Sequence, residues 1–242
     1  MACLPQADTV CSCESAISNV HRTQSVLVSV MATVISPTDR RVIIAGVSWA
    51  TYERLLADFG ESHTARVAFD RGTLEIMAPS FAHERPAHLL VQIVGILAEA
   101  RDMDLIGAGS TTFKREDVAR GFEPDASFYI QHAADVRSNT EIDLHSDPPP
   151  DLVIEIDTTH PSLDKLPLYA ALGIPEVWRY TEQQVLIYRR DTERYAVVDT
   201  STVLPGVTSH RLTQLVASGY DLPRPTWLRS IRAWAEGLRQ YL

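Results

Sequence analysis

Cysteine is scarce in this chain and poorly placed for structural use. Cys3, Cys11 and Cys13 are the whole complement of its 242 residues. An odd number crowded into one end offers neither a disulfide framework nor the spaced ligands of a zinc site. The expectation is a cytoplasmic protein without redox chemistry in its core. Long apolar runs are missing too: nothing approaches the roughly 18 consecutive residues that span a bilayer, so no membrane partner is expected. Positive charge is short as well, with 22 Lys and Arg against 31 Asp and Glu and a net charge of -9. That excludes a protein that coats nucleic acid through massed cations. It does not exclude a nuclease, because a bound cation neutralises part of an acidic site.

Several catalytic signatures also fail. His83-Glu84-Arg85-Pro86-Ala87-His88 has its histidines five apart with a proline between them. A zinc-protease helix needs them four apart on one face. Gly107-Ala108-Gly109 lacks the third glycine and the following helix of a dinucleotide fingerprint, and reads as a bend in a strand. There is no phosphate-binding loop, and the Ser, His and Asp residues form no nucleophile elbow.

What is present is an ordinary globular balance, 45% hydrophobic and 22% charged. Residues 1–30 lack periodicity and are read as a disordered or mis-assigned extension, with Met31 as the natural start. Arg41 to Val47 reads as a strand or extended arm. Ser48 caps a helix with Trp49, Tyr52, Leu55, Leu56 and Phe59 at helical spacing, and Gly60 stops it. Val67 to Ile76 alternates around Asp70-Arg71-Gly72 as a β-hairpin. A long amphipathic helix follows Ser80, with Leu89, Leu90, Ile93, Val94 and Leu97 on its apolar face. Short strands are expected near 105–106, 111–113 and 126–130, then a polar loop over 131–149. Ser162 is the expected cap of a helix closed by Gly173, and 177–198 reads as a three-strand meander. Helices are expected over 208–218 and 226–242. The division is a domain over 31–205 and a C-terminal helical appendage over 206–242. The fold class is α/β or α+β, a mixed sheet flanked by helices.

The chemistry concentrates in an acidic set. Leu152-Val153-Ile154-Glu155-Ile156-Asp157 is a buried strand with two carboxylates on one face. Like charges on one face repel, and burying them requires a cation or donors. Asp125 stands at the mouth of the strand 126–130, thirty residues before Glu155 (155 − 125 = 30). Adjacent strands could bring these acids together around a hard cation such as Mg²⁺, with Lys165 nearby. The alternative is that they are strand-end carboxylates paired with surface Arg or Lys. His83 reads equally as a hydrogen-bond partner at a helix end or as a site residue. Lys114 and Arg115 read better as a solvated strand-end pair than as phosphate contacts.

Several segments come in an order that resembles a known family. Met77-Ala78-Pro79-Ser80 with His83-Glu84, Gly109 to Lys114, and Glu123-Pro124-Asp125 are followed by Pro150 to Ile156, Asp164-Lys165 and Tyr169 to Trp178. Together they resemble the Uma-type family of putative restriction endonucleases, within the PD-(D/E)XK nuclease superfamily, over about residues 46–205. The resemblance implies a restriction-endonuclease-like core and phosphodiester hydrolysis of duplex DNA with Mg²⁺ or Mn²⁺. Position by position it makes Asp125 and Glu155 the metal carboxylates and Glu84 the helix-borne acid. It expects a lysine two residues after the second acid, where this chain has Asp157. Asp157 then becomes a supplementary metal acid and Lys165 the source of the amine. A homodimer would suit cleavage of both strands. A non-catalytic nucleic-acid-binding or protein-interaction module on the same fold is the rival reading, and another metal-dependent phosphoesterase is a third.

Overall fold

The computed structural model describes residues 30–31, 39–60, 64–157 and 163–238. The reading of 1–30 as an extension, and Ser162 as a cap, fall outside these apart from Val30. The strands form two six-stranded sheets. The first holds β1 (Val30–Met31), β2 (Arg40–Ala45), β3 (Arg66–Asp70), β4 (Thr73–Ala78), β6 (Phe113–Arg115) and β7 (Arg120–Phe122). It is antiparallel throughout, in the order β1-β2-β4-β3-β7-β6. The second holds β5 (Ile106–Gly107), β8 (Ala126–Tyr129), β9 (Leu152–Asp157), β10 (Glu176–Thr181), β11 (Gln184–Asp191) and β12 (Arg194–Val198). Its order is β12-β11-β10-β9-β8-β5, mixed because β9 and β10 run parallel. The expected mixed sheet is this second one, while the hairpin belongs to the separate antiparallel sheet.

The helices are α1 (Trp49–Phe59), α2 (Phe81–Ala100), α3 (Ala133–Val136), α4 (Leu166–Ala171), α5 (Ser209–Asp221) and α6 (Arg224–Gly237). No helix of the described residues is long and apolar enough to cross a membrane. Local chemistry explains several boundaries. Ser48 Oγ accepts from Thr51 N–H at 3.1 Å and starts α1, and Ser80 Oγ accepts from His83 N–H at 3.3 Å and starts α2. Arg71 and Gly72 both have positive φ, 46° and 96°, which is the twist a two-residue hairpin turn requires. α4 begins with Lys165 at its cap position and Pro167 in its first turn, and Gly173 at φ 87° follows its end. Two elements carry little local signal in the sequence. β7 is three residues long with Gly121 at its centre, and α3 is a single turn inside the polar loop.

β9 is apolar along its length because both of its faces are covered. Leu152, Ile154 and Ile156 pack into a core with α2, α5 and α6. Val153 points the other way, into a second core with Phe113, Phe122, Leu168 and Tyr169. The period of two therefore sends Glu155 to the α4 side. Burying each of these aliphatic side chains contributes about 1.5–3 kcal/mol, which is what holds a charged strand end inside. The C-terminal helices belong to the first of these cores: Trp227, Ile231 and Ala235 are buried in it, and Trp227 Nε1 donates to Leu215 O at 2.7 Å.

Candidate active site

The site is assembled where β8, β9, α2 and α4 meet. Ala126 pairs with Ile154 in the antiparallel β8–β9 ladder, so continuing that register by one residue sets Asp125 opposite Glu155. Asp125 is buried, and its Oδ2 accepts from the Ile156 N–H at 2.7 Å. Its Oδ1 lies 2.8 Å from His83 Nε2. The other ring nitrogen, His83 Nδ1, lies 3.3 Å from Asp39 Oδ2, and Asp39 Oδ1 accepts from the Ser80 N–H at 3.1 Å. A protonated His83 thus donates to a carboxylate on either side.

Glu155 is engaged by α4. Lys165 Nζ donates to Glu155 Oε2 at 2.8 Å, and Tyr169 Oη donates to Oε1 at 2.5 Å. Lys165 and Tyr169 are four residues apart at the start of one helix, the spacing that brings two side chains to one face. Lys165 therefore turns toward the acid strand rather than away from it. Asp157, two residues beyond Glu155 on the same face, forms an ion pair with Arg179 of β10. Its Oδ1 is buried and has no hydrogen-bond partner among the described residues. A cavity of about 40 Å³ is walled in part by Glu75, Glu155 and Asp157 together with Arg41, Lys165 and Arg179. That is room for roughly three waters, counting one probe sphere each.

Burial and charge set the ionisation of this group. Burial raises Glu155; the Lys165 charge opposes it, Asp125 adds to it, and the carboxyl ends above its ordinary value. Burial also pushes Asp125 up, but the hydrogen bond and charge of His83, with Lys165 and the Ile156 N–H, bring it below. Burial disfavours the charged imidazole of His83, yet Asp125, Asp39 and Glu155 outweigh it and raise that group. Lys165 likewise loses to burial and gains more from Glu155, Glu75 and Asp125, so it is held as a cation.

The remaining expected residues fall elsewhere. Glu84 is half exposed, faces Arg66 at 3.7 Å, and lines a groove with Phe81, Arg85 and His88. Its neighbour His83 is the residue of α2 that enters the site. Lys114 pairs with Glu53 at 2.8 Å and Arg115 with Asp117, both near the surface. Glu75, Asp39, Arg41 and Arg179 join the site without having been marked by the sequence motifs, and Tyr169, which opens one of the quoted segments, joins it without having been given a role. A signal existed for Tyr169 in its spacing from Lys165, and for Glu75 in a charge set between Leu74 and Ile76 of a buried hairpin.

The Uma2 family, described as putative restriction endonucleases, matches this chain over residues 49–223. The chain belongs to that family. The match runs through α5, beyond the residue 205 at which the sequence resemblance ends. The structure is similar to that of a putative nuclease belonging to DUF820 from Anabaena variabilis. The TM-score is 0.51 at 18% identity, over 70% of this chain and 99% of that one, so the shared property is the fold. No curated protein matches the chain.

No cluster of three His, Cys, Asp or Glu able to hold a metal ion is found among the described residues. The donor chemistry nevertheless fits a hard divalent cation, because Mg²⁺ needs only one or two protein carboxylates beside waters and phosphate oxygens. Each oxygen of Asp125 and of Glu155 has one protein donor, leaving a second lone pair. The orphaned Asp157 Oδ1 adds another hard oxygen on the wall that Glu155 shares.

Proposed function

We propose that this Uma2-family chain is a Mg²⁺- or Mn²⁺-dependent endonuclease acting on duplex DNA. The observation that carries the reading is Lys165 Nζ at 2.8 Å from Glu155, with Asp125 set opposite by strand register. Asp125 and Glu155 would hold the cation, with Asp157 Oδ1 as the supplementary acid. Such a cation acidifies a bound water and balances charge gathering on a phosphate.

The protein groups divide the remaining work. Lys165 stays protonated at neutral pH, so it acts as a hydrogen-bond donor and charge, not as a base. It orients the attacking water or meets the negative charge growing on phosphate oxygen. Tyr169 fixes the other oxygen of Glu155, and His83 fixes Asp125 from the side of α2. Hydrolysis forms a bond from water oxygen to phosphorus and breaks the bond to one sugar oxygen, which leaves with a proton. Glu84, half exposed and facing Arg66, does not line the cavity that Glu155 and Lys165 share and is given no part in this work. A homodimer would place two such centres on opposite strands.

The second reading is a non-catalytic nucleic-acid-binding module. It is favoured by the engagement of all four carboxylate oxygens of Asp125 and Glu155 by protein donors. Plasmid nicking with Mg²⁺ or Mn²⁺, beside Asp125→Ala and Glu155→Ala, tests both. Cleavage lost in both variants supports the nuclease, and cleavage unchanged in both removes this site from the reaction. Binding of DNA without any cleavage supports the module.

A further inference from the structure

Asp157 reverses the charge that the family motif puts two residues after the second acid, a change of two units within the site. Its side chain is nine-tenths buried, and Arg179 neutralises it. Arg179 is not a distant surface partner. In the parallel β9–β10 ladder it stands directly beside Glu155, so both side chains rise from the same face of the sheet. Both line the same cavity, with Lys165 and with Arg41 from the other sheet. The cation missing from β9 is present one strand over.

Arg179 is also reachable, with 24% of its side chain exposed. Its guanidinium has five N–H donors in a fixed fork, and it meets the side chains of Asp157 and Tyr188. A carboxylate and a phosphate present similar paired oxygens to such a fork. The Nε of Arg41, 3.8 Å from Glu75 on the same wall, is buried and has no hydrogen-bond partner among the described residues. The cavity thus holds more guanidinium donors than its own acids occupy.

We propose that Arg179 is a substrate-binding residue that grips a backbone phosphate of the nucleic acid, with Asp157 holding the guanidinium in place and competing with that phosphate. This rests on the nuclease reading. Asp157 is then a placeholder for the phosphate as well as an acid of the site. Its removal frees the clamp, whereas removal of Arg179 abolishes it.

The test is equilibrium binding of a labelled DNA duplex to the full chain in EDTA, across a salt series, with thermal melting to monitor folding. Arg179→Gln is expected to weaken binding about tenfold and to lower the slope of log affinity against log salt by about one. Arg179→Lys, which keeps the charge and can keep the pair, should fall between Arg179→Gln and the unmodified protein because the fork is lost. Asp157→Asn should tighten binding several-fold, and clearly less when made in the Arg179→Lys background. Loss of one negative charge acts alike in both, whereas a freed clamp needs the Arg179 fork. If Arg179→Gln does not fold, Arg179→Lys and Asp157→Asn decide between clamp and structural pair. Affinity and salt slope unchanged in the folded variants, while the unmodified protein binds and cleaves DNA, overturn the clamp and leave the nuclease reading standing. An unmodified protein that neither binds nor cleaves DNA overturns both.

Discussion

Two buried glutamates sit at opposite ends of neighbouring parallel strands, and their surroundings differ in kind. Glu176, at the start of β10, is wholly buried. It accepts from Trp178 Nε1 at 2.7 Å, Ser201 Oγ at 2.5 Å, and the backbone and side chain of Thr202 at 2.7 and 2.8 Å. These donors are neutral and come from its own strand and one loop. Glu155, near the end of β9, is met by an ammonium and a phenol and shares a cavity wall with Glu75 and Asp157. Burial of a carboxylate therefore does not by itself mark chemistry. Neutral donors that use up its lone pairs make a structural knot, whereas a cation and neighbouring acids beside a cavity make the candidate site on which the proposed function rests.

The largest expected effect separates the two glutamates by readout. Glu155→Gln should lower DNA cleavage by about 10²–10³-fold or more. Its stability should fall by about 1–3 kcal/mol, less than for a fully broken buried pair. The amide oxygen still accepts a hydrogen bond and repulsion from Asp125 is relieved, while Lys165 loses its counter-charge. A variant that instead unfolds would erase the distinction between the two glutamates, and far-UV circular dichroism with plasmid nicking decides it. Glu176→Ala should do the reverse. Stranding its buried donors should cost about 3–5 kcal/mol, comparable to breaking a buried pair. In a chain of this size that lowers Tm by roughly 6–20 °C. Cleavage per folded molecule should not change.

A gentler pair sharpens the same contrast. Tyr169→Phe and Ser201→Ala each remove one hydroxyl donor, from Glu155 and Glu176 respectively. Each should cost about 0.5–1.5 kcal/mol in denaturant unfolding. Only Tyr169→Phe should slow cleavage, by roughly tenfold, because it alone loosens an acid of the proposed active site.

The smallest effect is one of pH. His83 is raised above its ordinary 6.5, so its contribution to stability is full below that value. It is lost as the pH climbs through the raised one. The urea midpoint of metal-free protein in chelator should therefore fall as pH rises above about 6.5, and His83→Asn should flatten that dependence. Asp125, lowered from 3.8, works in the opposite sense, its contribution being lost only on acidification below that value. A midpoint that rises through the neutral range would contradict the arrangement of His83 between Asp39 and Asp125.

Much of the frame was legible. The apolar run of β9, the cap Ser48, the helix after Ser80, the Asp70-Arg71-Gly72 turn and the meander all follow from local preference and periodicity. The acids Asp125 and Glu155 were legible as candidates because a charge at a buried strand end is expensive. Glu84 and His83 show where such reading stops. They are adjacent and so point about 100° apart around α2, and no local signal says which faces inward. The contacts that decide are with Asp39 and Asp125, 44 and 42 residues away.

The sequence by itself determined the longer strands, the cap Ser48 and the sharing of one face of β9 by Glu155 and Asp157, because these depend on period and on neighbours a few residues apart. It also supplied just two lysines, Lys114 and Lys165, among its 22 basic residues. Only the tertiary structure decided that Lys114 meets Glu53 near the surface while Lys165 turns onto a buried acid. It also decided that Arg179 restores the charge Asp157 reversed. Both outcomes depend on which strands and helices pack together, and side chains meet across elements only once register and packing have fixed their directions.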